Sequence, residues 1–240
     1  MNSERDRIRN KVHAINPNRW KADEFDVRYY LISQLKKIVD KSVLDIGGSI
    51  GIICSEMDKS NFRVLIDIWF NELRNCNQKT DPLIHPICAS FTNLPFKDGC
   101  FDIINSSHVI EVTKDMDEKN NQNVKDFDQK YPTAKKYLSE IFRVLKNEGT
   151  AYLTTQNNAY SKSNKWNYDQ LKKLFKIFDD NKILFYNTYP KFSNNRKLDM
   201  GNVLPKLKSR FVNPDKIIND LMKKKSKNNF SKYFYCILKK

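Results

Sequence analysis

The residues best suited to chemistry lie between Lys41 and Gly51, in the run KSVLDIGGSIG. An acid, Asp45, stands near the end of a short apolar stretch, and Gly47, Gly48, Ser49, Ile50 and Gly51 follow. Three of the chain's six glycines fall within those five positions. Glycine is needed where backbone takes a positive φ or comes close to a ligand. A strand that turns through such a loop into a helix presents unbonded backbone N–H groups at the helix start, an arrangement suited to a nucleotide-type cofactor. The dinucleotide fingerprint G-x-G-x-x-G fails here, because Ser49 and Ile52 stand where its second and third glycines belong. What remains is Asp-x-Gly-x-x-x-Gly, with the acid at the end of a strand.

Two further sets of residues follow from that loop. Asp67 lies 22 residues after Asp45, at the end of the next apolar run. In a parallel sheet that placement lets a carboxylate accept both ribose hydroxyls of an adenosine. His108 and Glu111 lie just past the strand expected at residues 101–106. Ligands of open α/β sheets bind at that carboxyl edge, and either side chain could take a proton from a hydroxyl or amine acceptor there.

The glycine loop resembles the first motif of the class I S-adenosylmethionine-dependent methyltransferases, V-L-D-x-G-x-G-x-G, with Ser49 in place of the middle glycine. Residues 89–112, ASFTNLPFKDGCFDIINSSHVIEV, resemble the segment G-D-A-x-x-L-P-F-x-D-x-S-F-D-x-V of the small-molecule ("type 11") branch. Leu94, Pro95, Phe96, Asp98, Phe101 and Asp102 match, while Ser90 replaces the acid that meets the adenine amino group. Residues 140–157 resemble the family's R-V-L-K-P-G-G-x-L join, with Asn147 and Glu148 replacing Pro and the first Gly. The resemblance implies S-adenosyl-L-methionine as cofactor, held by Asp45, Gly47, Gly48, Ser49, Gly51, Asp67, Ile68, Ser90, Phe91 and Ser106. His108 and Glu111 are the expected catalytic pair, and no metal is expected. The implied acceptor is a small or anionic molecule methylated on oxygen or nitrogen. A non-catalytic cofactor-binding protein and an RNA-binding or RNA-modifying protein stay open as alternatives. Nucleic acid is the less favoured partner, because Asn105-Ser106-Ser107 is unlike the Asn-Pro-Pro-Tyr motif and no cysteine sits in a C5-methylation context.

The elements that must position these residues alternate between strand and helix. Apolar runs predict strands at 42–46, 62–68, 84–89, 101–106, 151–155, 182–189 and 233–238. Helices are expected at 52–57, 71–77, from Pro132 through Leu145 with a left-handed cap at Gly149, and from Asn167 through Phe178. Residues 114–131 lack an apolar period and read as an inserted loop or lid. The fold class is α/β, a doubly wound, mainly parallel sheet; the resemblance adds seven strands, the last antiparallel. One domain is expected over 1–240: a helical cap at 1–39, a cofactor-binding core at 40–189, a basic insertion at 190–232 and the last strand at 233–240. Trp20, Tyr29 and Tyr30 either cover the cofactor pocket or pack on the core.

Composition bounds the rest. At 240 residues and 40% hydrophobic content, the chain suits one substantial core. It has no apolar run of the ~20 residues a membrane span requires and no secretory leader, so a cytoplasmic location is expected. Five cysteines without a C-x-x-C pair read as reduced thiols. The net charge is +15, and residues 191–240 carry 14 Lys or Arg against 3 Asp, a balance of +11. Arg196, Lys197, Lys206, Lys208 and Arg210 are candidates for steering an anionic acceptor, although a solvated basic surface would look the same in sequence.

Overall fold

The structure is a computed structural model and describes residues 4–15, 22–76, 80–156, 165–186 and 233–240. Its centre is β1 (Ser42–Ile46), flanked by β2 (Phe62–Asp67) on one side and β4 (Phe101–Ser107) on the other, all parallel. β3 (Ile84–Cys88) pairs with β2 at the edge, and β5 (Leu145–Gln156) pairs with β4. β7 (Tyr233–Lys239) runs antiparallel between β5 and β6 (Asp180–Tyr186). The order β3-β2-β1-β4-β5-β7-β6 reverses direction between β1 and β4. The crevice that binds ligands in open α/β sheets opens at that reversal.

Both faces of the sheet are covered, which is why its central strands read as near-continuous apolar runs. One face packs Leu44, Ile46, Val64, Ile66 and Ile104 against α7 (Pro132–Val144) and α8 (Tyr168–Leu174). In α7 the buried residues Ala134, Tyr137, Leu138, Ile141 and Val144 recur at helical spacing, and Pro132 sits at the first turn, where no N–H is needed. Asn167 and Gln170 close a reciprocal capping box on α8. The other face packs Val43, Ile103 and Tyr235 against α1 (Glu4–Ile15) and α2 (Ala22–Leu35), through Ile8, Val12, Leu31, Ile32 and Leu35. Burying each such aliphatic side chain stabilises the fold by ~1.5–3 kcal/mol. Tyr30 meets Tyr235 edge-on at 5.2 Å, so it packs on this core. Trp20 lies outside the described residues, as do residues 187–232.

Two expectations are corrected. Residues 114–131 are not a loop throughout: α5 (Ile110–Asn120) and the short α6 (Phe127–Lys130) occupy most of the segment. After Ile110 the inward positions of α5 are polar. Lys114 donates to Lys165 O and Gln170 Oε1, and the Asp117 carboxylate accepts from Thr133 N and Ala134 N at the start of α7. A helix that buries satisfied polar groups shows no apolar period. The second correction concerns Gly149, which lies within β5, whereas the left-handed residue is Glu148, at φ 64°. Gly149 is needed for space, since a Cβ there would lie 2.8 Å from Leu145 and from the Lys146 carbonyl. The remaining helices, α3 (Ile52–Ser55) and α4 (Phe70–Arg74), are shorter than expected. Among the described residues no helix is long and apolar enough to cross a membrane.

Candidate functional site

β1 delivers Asp45 to the sheet's carboxyl edge with only 1% of its surface exposed. Its register partner on β4 is Asn105. Asn105 Nδ2 donates to Asp45 Oδ1 at 2.6 Å, and Asp45 Oδ2 has no hydrogen-bond partner. Burial pushes the Asp45 carboxyl up to about 7; the Asn105 bond opposes that shift and the nearby Asp67 charge adds to it.

The glycine loop then folds over this acid. Gly47 and Gly51 take left-handed backbone, and a Cβ at Gly47 would lie 2.3 Å from Val109. A Cβ at Gly48 would lie 2.5 Å from Asp45 Oδ2 and 2.2 Å from Leu65. The glycines are therefore demanded by how closely the loop packs on β2 and on the residues after β4. Ser49, where the resemblance expects glycine, also takes left-handed backbone at φ 56°. The strain costs ~1 kcal/mol and is countered locally: Ser49 N donates to Asp67 Oδ2 at 2.9 Å, and Ser49 Oγ donates to Glu72 Oε2 at 2.7 Å.

Asp67 thus has a structural task. Its Oδ1 accepts from Trp69 N at 3.0 Å while its Oδ2 fixes Ser49. A carboxylate has about four lone-pair sites, so capacity remains for further donors. Past Asp67 the chain exposes three consecutive apolar residues, Ile68, Trp69 and Phe70, with Trp69 at 68%. Ala89 N donates to Asp67 O, which brings Ser90 and Phe91 to the same edge of the sheet. Ser90 is exposed and its hydroxyl bonds Thr92, while Phe91 packs edge-on against Tyr137.

A cavity between the loop and α2 is lined by Arg28, Asp45, Gly47, Gly48, Ser49, Ile52, Ile53 and Ser107. It unites four of the sequence-predicted residues and adds Arg28, which sequence reasoning missed. The other predicted residues stand apart from its walls. Gly51 faces Cys76 and Ile84. Ser106 is buried, donates to Ile46 O and accepts from Tyr137 Oη.

His108 and Glu111 form a second cluster immediately after Ser107. His108 is held at φ 64°, with its N–H on Thr154 O and its ring edge-on to Tyr233 at 5.5 Å. Its Nδ1 lies 2.8 Å from Glu111 Oε1, and its Nε2 is buried without a partner. Burial would raise the Glu111 carboxyl. The His108 bond, the Gln156 N–H and the Lys165 ammonium outweigh that and hold it below the usual range. An ionised Glu111 accepts a proton-bearing Nδ1, which places the lone pair of a neutral imidazole on Nε2.

The segment that resembles the family is mostly scaffold. Arg143 on α7 donates to the Leu94 and Phe96 carbonyls and to Asp98, and Glu140 accepts from Leu94 N. Asp102 accepts from Ser42 N and Ser42 Oγ, tying β4 to the start of β1.

Residues 44–153 match the family model described as a methyltransferase domain. Solved structures share the fold at low identity. A chain of the complex between the Haloferax volcanii Trm112 methyltransferase activator and a putative methyltransferase is 13% identical, with a TM-score of 0.55, covering 99% of this chain and 98% of that one. A SAM-dependent methyltransferase of Thermotoga maritima, described as a possible histamine N-methyltransferase, is 14% identical at TM-score 0.54, covering 96% and 97%. The N-methyltransferase NodS of Bradyrhizobium japonicum, solved with S-adenosyl-L-homocysteine, is 12% identical at TM-score 0.52, covering 75% and 92%. No curated protein matches the chain.

Proposed function

We propose, for a chain whose residues 44–153 belong to the class I S-adenosylmethionine-dependent methyltransferase family, that it moves the cofactor's methyl group to an oxygen or nitrogen of an anionic acceptor. The cofactor of this family is S-adenosyl-L-methionine. The residues present fit it. Asp45 offers a buried carboxylate oxygen with no partner at the cavity wall, suited to an ammonium group. Asp67 keeps acceptor capacity for ribose hydroxyls, and Ile68, Trp69 and Phe91 supply apolar surface for a base beside it.

When bound, the cofactor supplies an electrophilic methyl on a sulfonium, so most of the protein's work is to position an acceptor and take its proton. His108 suits the second task. Glu111 fixes Nδ1 and leaves Nε2 unpaired at the sheet edge, next in sequence to Ser107 on the cavity wall. That unpaired, oriented imidazole nitrogen is the observation that most supports catalysis over mere cofactor binding. The anionic character of the acceptor is supported by where the basic segment is rooted. Tyr186 and Tyr233, which flank residues 187–232, are paired neighbours at the same carboxyl edge, and residues 191–240 carry a balance of +11.

Titration calorimetry tests the cofactor. S-adenosyl-L-methionine and S-adenosyl-L-homocysteine should bind and NAD should not; the reverse pattern would overturn the reading. Transfer of a labelled methyl group into acceptor pools, followed by fractionation on anion exchange, tests the acceptor class.

A further inference from the structure

Lys114 and Trp166 are both buried, and both hold the same short segment. Trp166 Nε1 donates to Ile110 O at 2.7 Å, and Lys114 Nζ donates to Lys165 O at 2.7 Å while lying 5.0 Å from the centre of the Trp166 ring. A buried ammonium is costly unless it is paired, and this one also meets Gln170 Oε1 at 3.1 Å and Glu118 Oε1 at 3.5 Å. The two bonds strap residues 165 and 166, just before the cap of α8, across the first turns of α5. The Lys165 ammonium is thereby placed 3.6 Å from Glu111 Oε2 and 3.8 Å from Asp115 Oδ2. Asp115 is mostly exposed and screened by solvent, whereas Glu111 is buried.

Glu111 is engaged on both oxygens. Its Oε1 accepts from His108 Nδ1, Thr155 Oγ1 and Gln156 N, and its Oε2 faces Lys165. Burial pushes the Glu111 carboxyl up; the bond and charge of His108, the Gln156 N–H and the Lys165 charge together bring it below its ordinary range. One of those charges is missing in the state that matters. A base must be neutral to take a proton, so His108 then offers Glu111 only an N–H. Among the described residues, Lys165 is the positive charge that remains against this buried carboxylate. A protonated Glu111 would no longer fix the imidazole proton on Nδ1, and a proton that moved to Nε2 would abolish the base. We propose that Lys165 is a positioning residue for methyl transfer: strapped down by Lys114 and Trp166, its ammonium holds the Glu111 carboxylate that orients His108. The proposal rests on the reading of His108 as the base, and it gives the buried Lys114 and Trp166 a task in the site.

The test reads the His108 tautomer in the full chain from its imidazole nitrogen chemical shifts, at a pH where the ring is neutral. The wild type should carry the proton on Nδ1. Lys165→Met removes the charge and keeps most of the stem, so a fraction protonated on Nε2 should appear. With an acceptor that the wild type methylates, kcat should fall severalfold, while acceptor KM and affinity for S-adenosyl-L-homocysteine stay level. Lys165→Arg should restore both the tautomer and most of the turnover. A wild type with the proton on Nε2 would overturn the proposal without any variant. So would a Lys165→Met protein with the wild-type tautomer, or one in which the arginine variant is as impaired as the methionine one. If Lys165→Met does not fold, Lys165→Gln is judged by the same tautomer shift. The tautomer readout needs no acceptor, so it succeeds or fails separately from the reading of His108 as base, which turnover of His108→Ala decides.

Discussion

Asn105 and Asp45 are register partners on adjacent parallel strands, and their 2.6 Å hydrogen bond occupies one carboxylate oxygen while leaving the other buried and unpaired. An acid held this way is poised between two states. Without a cation it is costly to ionise, and with an ammonium beside it the charge is stabilised.

The first prediction follows from that acid. The folded-state value near 7 lies above the unfolded carboxyl value of 3.8. Between those values the native state holds a proton that the unfolded chain has released, so this group's contribution to stability falls as pH rises from about 4 to 7. Well above pH 7 the penalty is complete, at roughly 4 kcal/mol by linkage. Asp45→Asn should therefore melt higher than wild type at pH 8 and nearly level with it at pH 4.5, while losing cofactor binding. In the wild type, affinity for S-adenosyl-L-homocysteine should fall as pH drops from 7 to 5.5, because a neutral Asp45 cannot pair with the ammonium. Asn105→Ala removes the bond that favours the ionised form, so the midpoint of that fall should move to higher pH. A flat affinity profile in wild type, or an Asp45→Asn variant that melts lower at pH 8, would count against this account.

Asp67 carries the second prediction. Its two oxygens already fix Ser49 N and Trp69 N, so it shapes the glycine loop as well as facing the expected ribose. Asp67→Ala should weaken cofactor binding by about 1–3 kcal/mol, the scale of charge-assisted bonds. It should also raise amide exchange at Ser49, which loses its acceptor. Asp67→Asn keeps one acceptor oxygen and should fall between the two. Protection at Ser49 that does not change in the alanine variant would show that the loop holds its shape without this clamp.

These two residues also mark where the sequence was informative. The strands were legible because β1, β2 and β4 are covered on both faces and must be apolar throughout. Asp45 and Asp67 stood out as acids at the ends of such strands. Asn105 left a comparable signal, a polar residue within the apolar strand FDIINSS, but its role depends on register, which spacing does not give. Arg28 left almost none: an arginine on a half-buried helix looks like any surface cation until the packing of α2 sets its direction. α5 was missed for a related reason. Its inward positions are Lys114 and Asp117, whose burial is tolerated only because partners far along the chain satisfy them. Glu148 could not be read as left-handed, because it takes that shape where Lys240 O accepts its N–H at the far end of the chain.

The third prediction concerns His108. With an acceptor that the wild type methylates, His108→Ala should cut turnover by ~10²–10⁴-fold and leave cofactor affinity nearly unchanged. Glu111→Gln should lower turnover less, since it weakens the orientation of Nδ1 and leaves Nε2 in place. The backbone supplies a separate check. At φ 64° an alanine keeps the left-handed strain of ~1–2 kcal/mol, whereas glycine relieves it. His108→Gly should therefore melt higher than His108→Ala while being equally inactive. Full turnover in both variants would leave catalysis to positioning alone.

The last prediction concerns charge at the acceptor edge. Residues 187–232 lie outside the described structure, but their attachment points do not: Tyr186 ends β6 and Tyr233 begins β7 as register partners, at the edge where His108 packs on Tyr233. On the reading proposed above, basic residues of the segment that joins them steer an anionic acceptor. Arg196, Lys197, Lys206, Lys208 and Arg210 are the basic residues in its first half after Lys191. Steering by such charges acts on encounter and fades as the screening length falls from ~10 Å at 0.1 M salt to ~3 Å at 1 M. Replacing these five by glutamine should raise KM for the acceptor severalfold at low salt, converge with wild type near 1 M, and leave both kcat and cofactor affinity unchanged. A KM indifferent to salt in the wild type would mean that the acceptor is not drawn in by charge, and that the basic residues serve only as solvated surface.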